Sequence, residues 1–412
     1  MKPRLELRNK VRVRTSVKLA VAGAVFATLV AVGFLLYYNF GTSSDTWAVG
    51  DSRFSGYNWR KKIVLDQSLL QGSSDLYQFP LLVELKDPDL KHISRGGKMI
   101  HLKGSDIRFS KEDGQSLLLS QVERYNPETG ELIAWVLLDT LSAKKSNTLY
   151  LYFSKADMPG IAGQLLWEEE YQAVWHFNSG LNADHSRRLR ATVMGTEQSS
   201  GKIGNARTLH ANSGDCASFP WLQELDMTGD IHVSAWVKLN ETGREQVLVS
   251  NQGDRPGGYR LLIDPQGRLS FDFINLAGIR VGLGNATGGV LKTDEWYFVS
   301  AQYDLNTKTI QTFVNGIADR TMVVSESPAP SPSALQIGRD LFNEQSHFNG
   351  VVDELRISNK IRTSSWIATN FRNQHNPGTS LRAYPAEELQ LMASDIRTAK
   401  EALGKISDEE RE

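Results

Sequence analysis

Residues 296–316 read WYFVSAQYDLNTKTIQTFVNG. Two runs rich in aromatic and β-branched residues, WYFVSAQYD and TIQTFVNG, stand on either side of the polar break LNTK. The same grammar extends in both directions. Upstream come AVWHFN, ARTLH, DIHVSAWVKL, QVLVSN, YRLLID and RLSFDFI, and downstream come ALQIGR and FNGVVDELRIS, with Gly and Asn at nearly every junction. Nearer the N-terminus, WRKKIVLD, QFPLLVELK, SDIRFS, SLLLSQVER, ELIAWVLL and NTLYLYFS are parted by the turn clusters DPD, EDG, NPETG and KKSN. Turn signals roughly every 10–15 residues, with no long helical period between them, predict an all-β chain of two β-sandwich (jelly-roll) domains. Asn126–Gly130 reads as a hairpin turn in which Gly130 supplies positive φ. SSWIATNFRNQ, after Ser358, reads as a short amphipathic helix closing the second domain.

The chain has 412 residues and a formal net charge of −1. Without a domain-sized basic excess, nucleic acid is not an expected partner. Cys216 is the only cysteine, so intramolecular disulfides and Cys-rich metal sites are excluded. A large exported chain with no cysteine pair fits a bacterial exoplasmic protein. Cys216 itself is expected to act as a small, half-buried hydrophobe.

Export is suggested by residues 19–38, LAVAGAVFATLVAVGFLLYY, an uncharged run long enough for a helix of about 30 Å. Lys2, Arg4, Arg8, Lys10, Arg12, Arg14 and Lys18 precede it against a single acid, Glu6, and Asp45 and Asp51 follow. This charge asymmetry predicts an uncleaved single-pass anchor in a bacterial inner (cytoplasmic) membrane, with the N-terminus cytoplasmic and the bulk in the periplasm or outside the cell. The expected organisation is a basic segment (1–18), the transmembrane anchor (19–38), a tether (39–56), a first sandwich (57–155), a connector (156–173), a second sandwich (174–384) and a C-terminal helix (385–412). The helix is read from Leu389, Met392, Ile396, Ala399, Leu403 and Ile406 at alternating three- and four-residue steps after Pro385.

Five motifs carry a first resemblance: Trp59-Arg60-Lys61-Lys62-Ile63, Phe79-Pro80-Leu81-Leu82-Val83, Gly104-Ser105-Asp106-Ile107-Arg108-Phe109, Ala134-Trp135-Val136 and Leu149-Tyr150-Leu151-Tyr152-Phe153. Through them residues 57–155 resemble the domain-of-unknown-function 2341 family. Residues 174–375 are similar to the laminin-G-like, concanavalin A-like jelly rolls of bacterial surface proteins. That likeness rests on Val174–Asn178, Val233–Val237, Phe313–Gly316 and Phe348–Ser358, with Arg362–Ile367 and Arg372–Gln374 in the tail. The combination resembles proteins associated with proton channels of the TolQ, ExbB and MotA type, which implies a membrane-protein partner.

The concanavalin-like fold hosts hydrolases as well as lectins, so the fold alone does not assign a reaction. Retaining glucanases of that fold present Glu-x-Asp-x-x-Glu, whereas Glu224-Leu225-Asp226-Met227-Thr228-Gly229 lacks the last carboxylate. Asp353 and Glu354 are adjacent and, on a regular strand, face opposite sides. HExxH, GxSxG and GxxxxGK[ST] are absent from the sequence, and His176 and His232 read as structural histidines. No enzyme activity is expected. The resemblance implies that the first and last strands of the jelly roll pair, bringing Asn178 and Asp184 near Asp353, where a structural Ca2+ is expected. For a sugar, Trp221, Tyr259, Phe273, Asn275 and Arg280 lie in or near loops and offer aromatic platforms and hydrogen-bonding groups. The leading expectation is a membrane-anchored exoplasmic protein that binds glycan or envelope polymer. A structural or accessory subunit of a TolQ/ExbB/MotA-type channel complex is the alternative, and a glycoside hydrolase is the third.

Overall fold

The run FPLLV at 79–83 is apolar on both faces of its strand, and the surroundings of that strand explain why. A computed structural model describes residues 54–156, 166–167, 170–178, 189–253, 256–284 and 288–389. The Leu76–Lys86 strand pairs with Glu131–Leu141, and that with Ser120–Asn126, as a three-stranded antiparallel sheet. Phe79, Leu81 and Val83 enter a core with Ile63, Phe109, Leu149, Leu151 and Phe153 from a facing five-stranded sheet. Leu82 and Trp135 point the other way, into a cluster with Trp167, Tyr171 and Val174. With both faces covered, the usual polar alternation has no place. The turn at 126–130 forms as expected. Asn126 Oδ1 accepts from the N–H groups of Glu128 and Thr129 at 2.9 and 3.2 Å. Gly130 has φ +74° and lies so close to the Asp87 carbonyl that a Cβ would stand 2.1 Å from its oxygen.

The second sandwich stacks a seven-stranded sheet on an eight-stranded one. The first runs, in spatial order, 280–282, 269–274, 259–263, 246–250, 335–337, 216–219 and 192–194. The second runs 197–200, 205–209, 350–358, 231–239, 296–304, 309–314 and 317–323, with Tyr171–Trp175 also paired to Gly350–Ser358. Alternate residues of both sheets, among them Val233, Ala235, Tyr259, Leu261, Phe271, Phe273, Tyr303 and Ile357, form its core. Cys216 is buried.

The two sandwiches are not independent. Helix α1, Ser364–His375, is capped by Thr363, whose side chain accepts from the Trp366 N–H. It lies between Leu76–Lys86 on one side and the eight-stranded sheet on the other. Asn373 donates to the Leu82 carbonyl at 3.1 Å and accepts the Leu82 N–H at 2.7 Å. One amide thus closes the open edge of the three-stranded sheet as a neighbouring strand would. Trp366 packs edge-on against Phe79, with centroids 5.6 Å apart, and Trp236 Nε1 donates to Gln374 at 2.7 Å. Trp236, Phe298, Phe313, Trp366 and Ile367 belong to the same apolar cluster as the first sandwich's core.

The chain then returns. Leu381–Glu388 is a strand that extends the five-stranded sheet by pairing with Tyr57–Leu65. This corrects two expectations: the first domain does not end at residue 155, and the segment does not turn helical at Pro385. Tyr384 and Pro385 together oppose Lys62 at a register shift, so the missing proline N–H falls at a bulge on an outer strand, where it is tolerated. Residues 390–412, the remainder of the expected helix, lie outside the described residues, as does the expected anchor at 19–38. Among the described residues no helix is long and apolar enough to cross a membrane.

His232 places a titratable group at this seam. It is fully buried, its Nε2 is 2.8 Å from Ser300 Oγ, and it meets the Trp366 ring edge-on. Burial, with Arg362 and Arg356 adding positive charge, pushes its pKa down to about 3 from 6.5. Between these values the unfolded chain binds a proton that the folded chain refuses, so stability falls as pH drops from about 6.5 towards 3. Wild type should therefore lose about 2–3 kcal/mol more than His232→Gln between about pH 7 and 4.5. Urea unfolding midpoints at the two pH values check this, and parallel losses in both proteins would contradict it.

Candidate functional site at the domain seam

Two β-bulges turn carboxylates toward each other across the seam. The Ser120–Asn126 strand slips register between Val122 and Arg124, which leaves Glu123 as the extra residue. The Gly350–Ser358 strand slips opposite Ala235, and Glu354 there adopts φ +49°. A bulge re-aims the side chain it carries. Val352, Leu355 and Ile357 enter the second core, while Glu354 turns out of that core toward His176 and Arg356. Asp353 and Glu354 thus do not face opposite sides as adjacent strand residues would. The alternation rule fails because the bulge inserts one residue.

His176 Nδ1 lies 2.7 Å from Glu354 Oε1 and 3.5 Å from Glu123 Oε2. Glu354 Oε2 accepts from Arg356 Nη2 at 2.7 Å. Glu123 accepts from Trp135 Nε1 at 2.7 Å through Oε2 and from the Asn178 amide through Oε1. The Arg356 guanidinium packs against the rings of both Trp135 and Trp167, 4.1 and 4.7 Å from their centroids, and His176 stacks on Trp135 at 16°. Burial, with Glu354 nearby, pushes the Glu123 carboxyl up to about 7. Burial and the same neighbour hold Asp353 well above the carboxylate range. For Glu354 burial acts in the same sense, but His176 and Arg356 outweigh it and hold the carboxyl below its ordinary value.

A groove runs along the seam above this cluster. One cleft of about 660 Å³ is lined by Glu84, Lys86, Arg124, Lys202, Gln374 and His375, among others. A second, of about 470 Å³, is lined by Gln121, Glu123, Arg124, Tyr125, Asn178 and Asn205. They share Arg124 and meet at Gly204-Asn205. Two rings line the clefts: His375 in the first, stacked on Phe371 with centroids 5.0 Å apart, and Tyr125 in the second. A further cavity of about 440 Å³ sits at one end of the first sandwich, beside Asp75, Lys111 and Asn147, away from the carboxylates.

Of the residues expected to bind ligand, four lie on or beside neighbouring strands, with Tyr259 paired to Phe273, but they do not share an exposed surface. Tyr259 and Phe273 belong to the second core, with no exposed surface; they sit at the inward positions of their strands. Asn275 is buried and accepts the N–H groups of Ala277 and Ile279, which fixes a turn. Arg280 is on the outermost strand of the seven-stranded sheet, paired with Asp272. Trp221 is 46% exposed and follows the Cys216–Phe219 strand, five strand positions from the one that carries Arg280.

Of the expected calcium ligands, Asp184 lies outside the described residues. Asn178 and Asp353 do approach one loop, residues 201–205. Both Asp353 oxygens accept backbone N–H groups, from Ile203 and Glu354, and Asn178 Oδ1 accepts that of Asn205. These oxygens are thus engaged by backbone donors of one loop and of the strand itself. The sequence reading passed over Glu123, Trp135, Trp167 and Arg356. A clue was available, since Glu123 and Glu354 are charges within otherwise strand-like runs.

Two family models match the chain. Residues 211–368 match the concanavalin A-like lectin/glucanases superfamily, and residues 103–163 match DUF2341, a domain of unknown function. Similar solved structures include the binding domain of Paraclostridial Mosquitocidal Protein 1 (13% identity, 49% of this chain and 52% of that one, TM-score 0.43). Another is domain 4 of AbnA, a GH43 extracellular arabinanase from Geobacillus stearothermophilus, in complex with arabinotriose (18% identity, 50% of this chain and 100% of that one, TM-score 0.41). A third is the binding domain of botulinum neurotoxin serotype D (14% identity, 50% and 52%, TM-score 0.41). The chain spans about half the length of the mosquitocidal and neurotoxin domains. No curated protein matches it. One stretch of the chain thus matches DUF2341 and a later one matches the concanavalin A-like superfamily.

Proposed function

We propose that the protein is a non-enzymatic binding module, tethered to a bacterial inner membrane by residues 19–38, that holds a glycan or envelope polymer in the seam groove. The observation that carries this reading is the pair of contiguous clefts bounded by both domains. Their lining of amides, carboxylates, a guanidinium and the rings of His375 and Tyr125 suits a polyhydroxylated chain, and domain interfaces are preferred places for ligand sites. The match of residues 211–368 to a lectin-containing superfamily supports it. Hydrolysis at the seam is disfavoured because the Glu354 side chain is fully buried beneath Arg356 and two tryptophans, where no sugar ring reaches it.

Sedimentation of the full-length chain with insoluble polysaccharides tests the reading. Retention is expected on at least one of peptidoglycan, capsule or plant and algal wall polymers. Silence across the whole panel, with a channel-type membrane protein co-purifying from detergent, would favour the accessory-subunit alternative instead.

A further inference from the structure

We propose that Glu123, His176 and Glu354 form a binding site for one borderline divalent transition ion of the Zn2+ type. This goes beyond the polymer-binding reading and does not depend on it. One donor atom from each of the three residues lies within 4.8 Å of the others. They come from three separate segments and both sandwiches, so the ion would bridge the domains. An imidazole nitrogen with two carboxylate oxygens is a Zn2+-type donor set. Ca2+ instead calls for six to eight oxygens.

The outer contacts are those of a ligand set. Metal-bound carboxylates are usually held by a second hydrogen bond. Here Arg356 holds Glu354 Oε2, leaving Oε1 toward His176. Asn178 holds Glu123 Oε1 and Trp135 orients Oε2. The stack of His176 on Trp135 fixes the imidazole plane. Access is through the 470 Å³ cleft, which Glu123 and Asn178 line. On binding, the ion replaces the proton between His176 Nδ1 and Glu354 Oε1, and that proton leaves to solvent.

Calorimetric titration of the chelator-stripped full-length chain in detergent with Zn2+, in two buffers of different ionisation enthalpy, is the test. One equivalent should bind, with proton release, and Co2+ should give the visible absorption of a low-coordinate site. His176→Ala should abolish binding. Trp135→Phe, which keeps an aromatic ring of smaller size and removes the N–H donor, should weaken it about 10–100-fold. It serves as the second variant if His176→Ala fails to fold. A wild-type Kd weaker than about 0.1 mM, or unchanged affinity in either folded variant, would overturn the proposal. Polysaccharide sedimentation in excess chelator separates its failure from that of the polymer reading.

Discussion

Residues 57–156 expressed alone are expected to remain unfolded, whereas residues 54–389 should melt in a single transition. The isolated segment lacks the Leu381–Glu388 strand that pairs with Tyr57–Leu65. It also lacks Asn373, which satisfies the N–H and C=O of Leu82, and it exposes Leu82 and Trp135, which are fully buried in the whole chain. Each large apolar side chain returned to water costs roughly 1.5–3 kcal/mol. A domain of this size has only about 5–15 kcal/mol in total. Amide-proton dispersion of the fragment and calorimetry of the longer chain check this. A well-dispersed fragment spectrum, or two resolved transitions in the longer chain, would show that the sandwiches fold separately.

Trp236→Ala should destabilise the molecule by about 3–5 kcal/mol and loosen both sandwiches at once. Trp236 is fully buried on a strand of the second domain, yet its ring belongs to the first domain's apolar cluster. It packs on Phe298 and Phe371 at 5.5 and 5.7 Å and donates to Gln374. Trp236→Phe keeps most of the packing and loses the indole donor, so it should cost only about 1 kcal/mol beyond the smaller ring. Denaturant unfolding followed by probes in each sandwich separates the outcomes. Loss confined to the second sandwich would mean that the seam does not couple the two.

The sandwich architecture was legible in the sequence because period-2 runs and turn residues are local signals. WYFVSAQYD and TIQTFVNG became the neighbouring strands Trp296–Asp304 and Thr309–Val314. The seam was not legible. QFPLLVELK reads as an ordinary strand unless the partner behind Leu82 is known, and that partner is about 290 residues away in α1. The Leu381–Glu388 strand was read as helix from Pro385 because residues beyond it carry a helical period. Bulges explain the miss at the site. Nothing local marks Glu123 as an inserted residue or assigns Glu354 a positive φ, yet those two features bring the carboxylates to one histidine. Tyr259 and Phe273 were misplaced because an aromatic side chain near a strand end suits a core as well as a sugar platform.

The central claim is that the seam groove holds a polymer, and Arg124 is the residue through which it is most directly tested. It lines both clefts and is exposed, so Arg124→Ala should leave the fold intact. Its affinity for whichever polysaccharide retains the wild-type chain should be compared with that of wild type by equilibrium sedimentation. About tenfold weaker binding is expected, the loss of one charged hydrogen bond. Equal affinity in the two proteins, with both folded, would place the ligand elsewhere and contradict the claim.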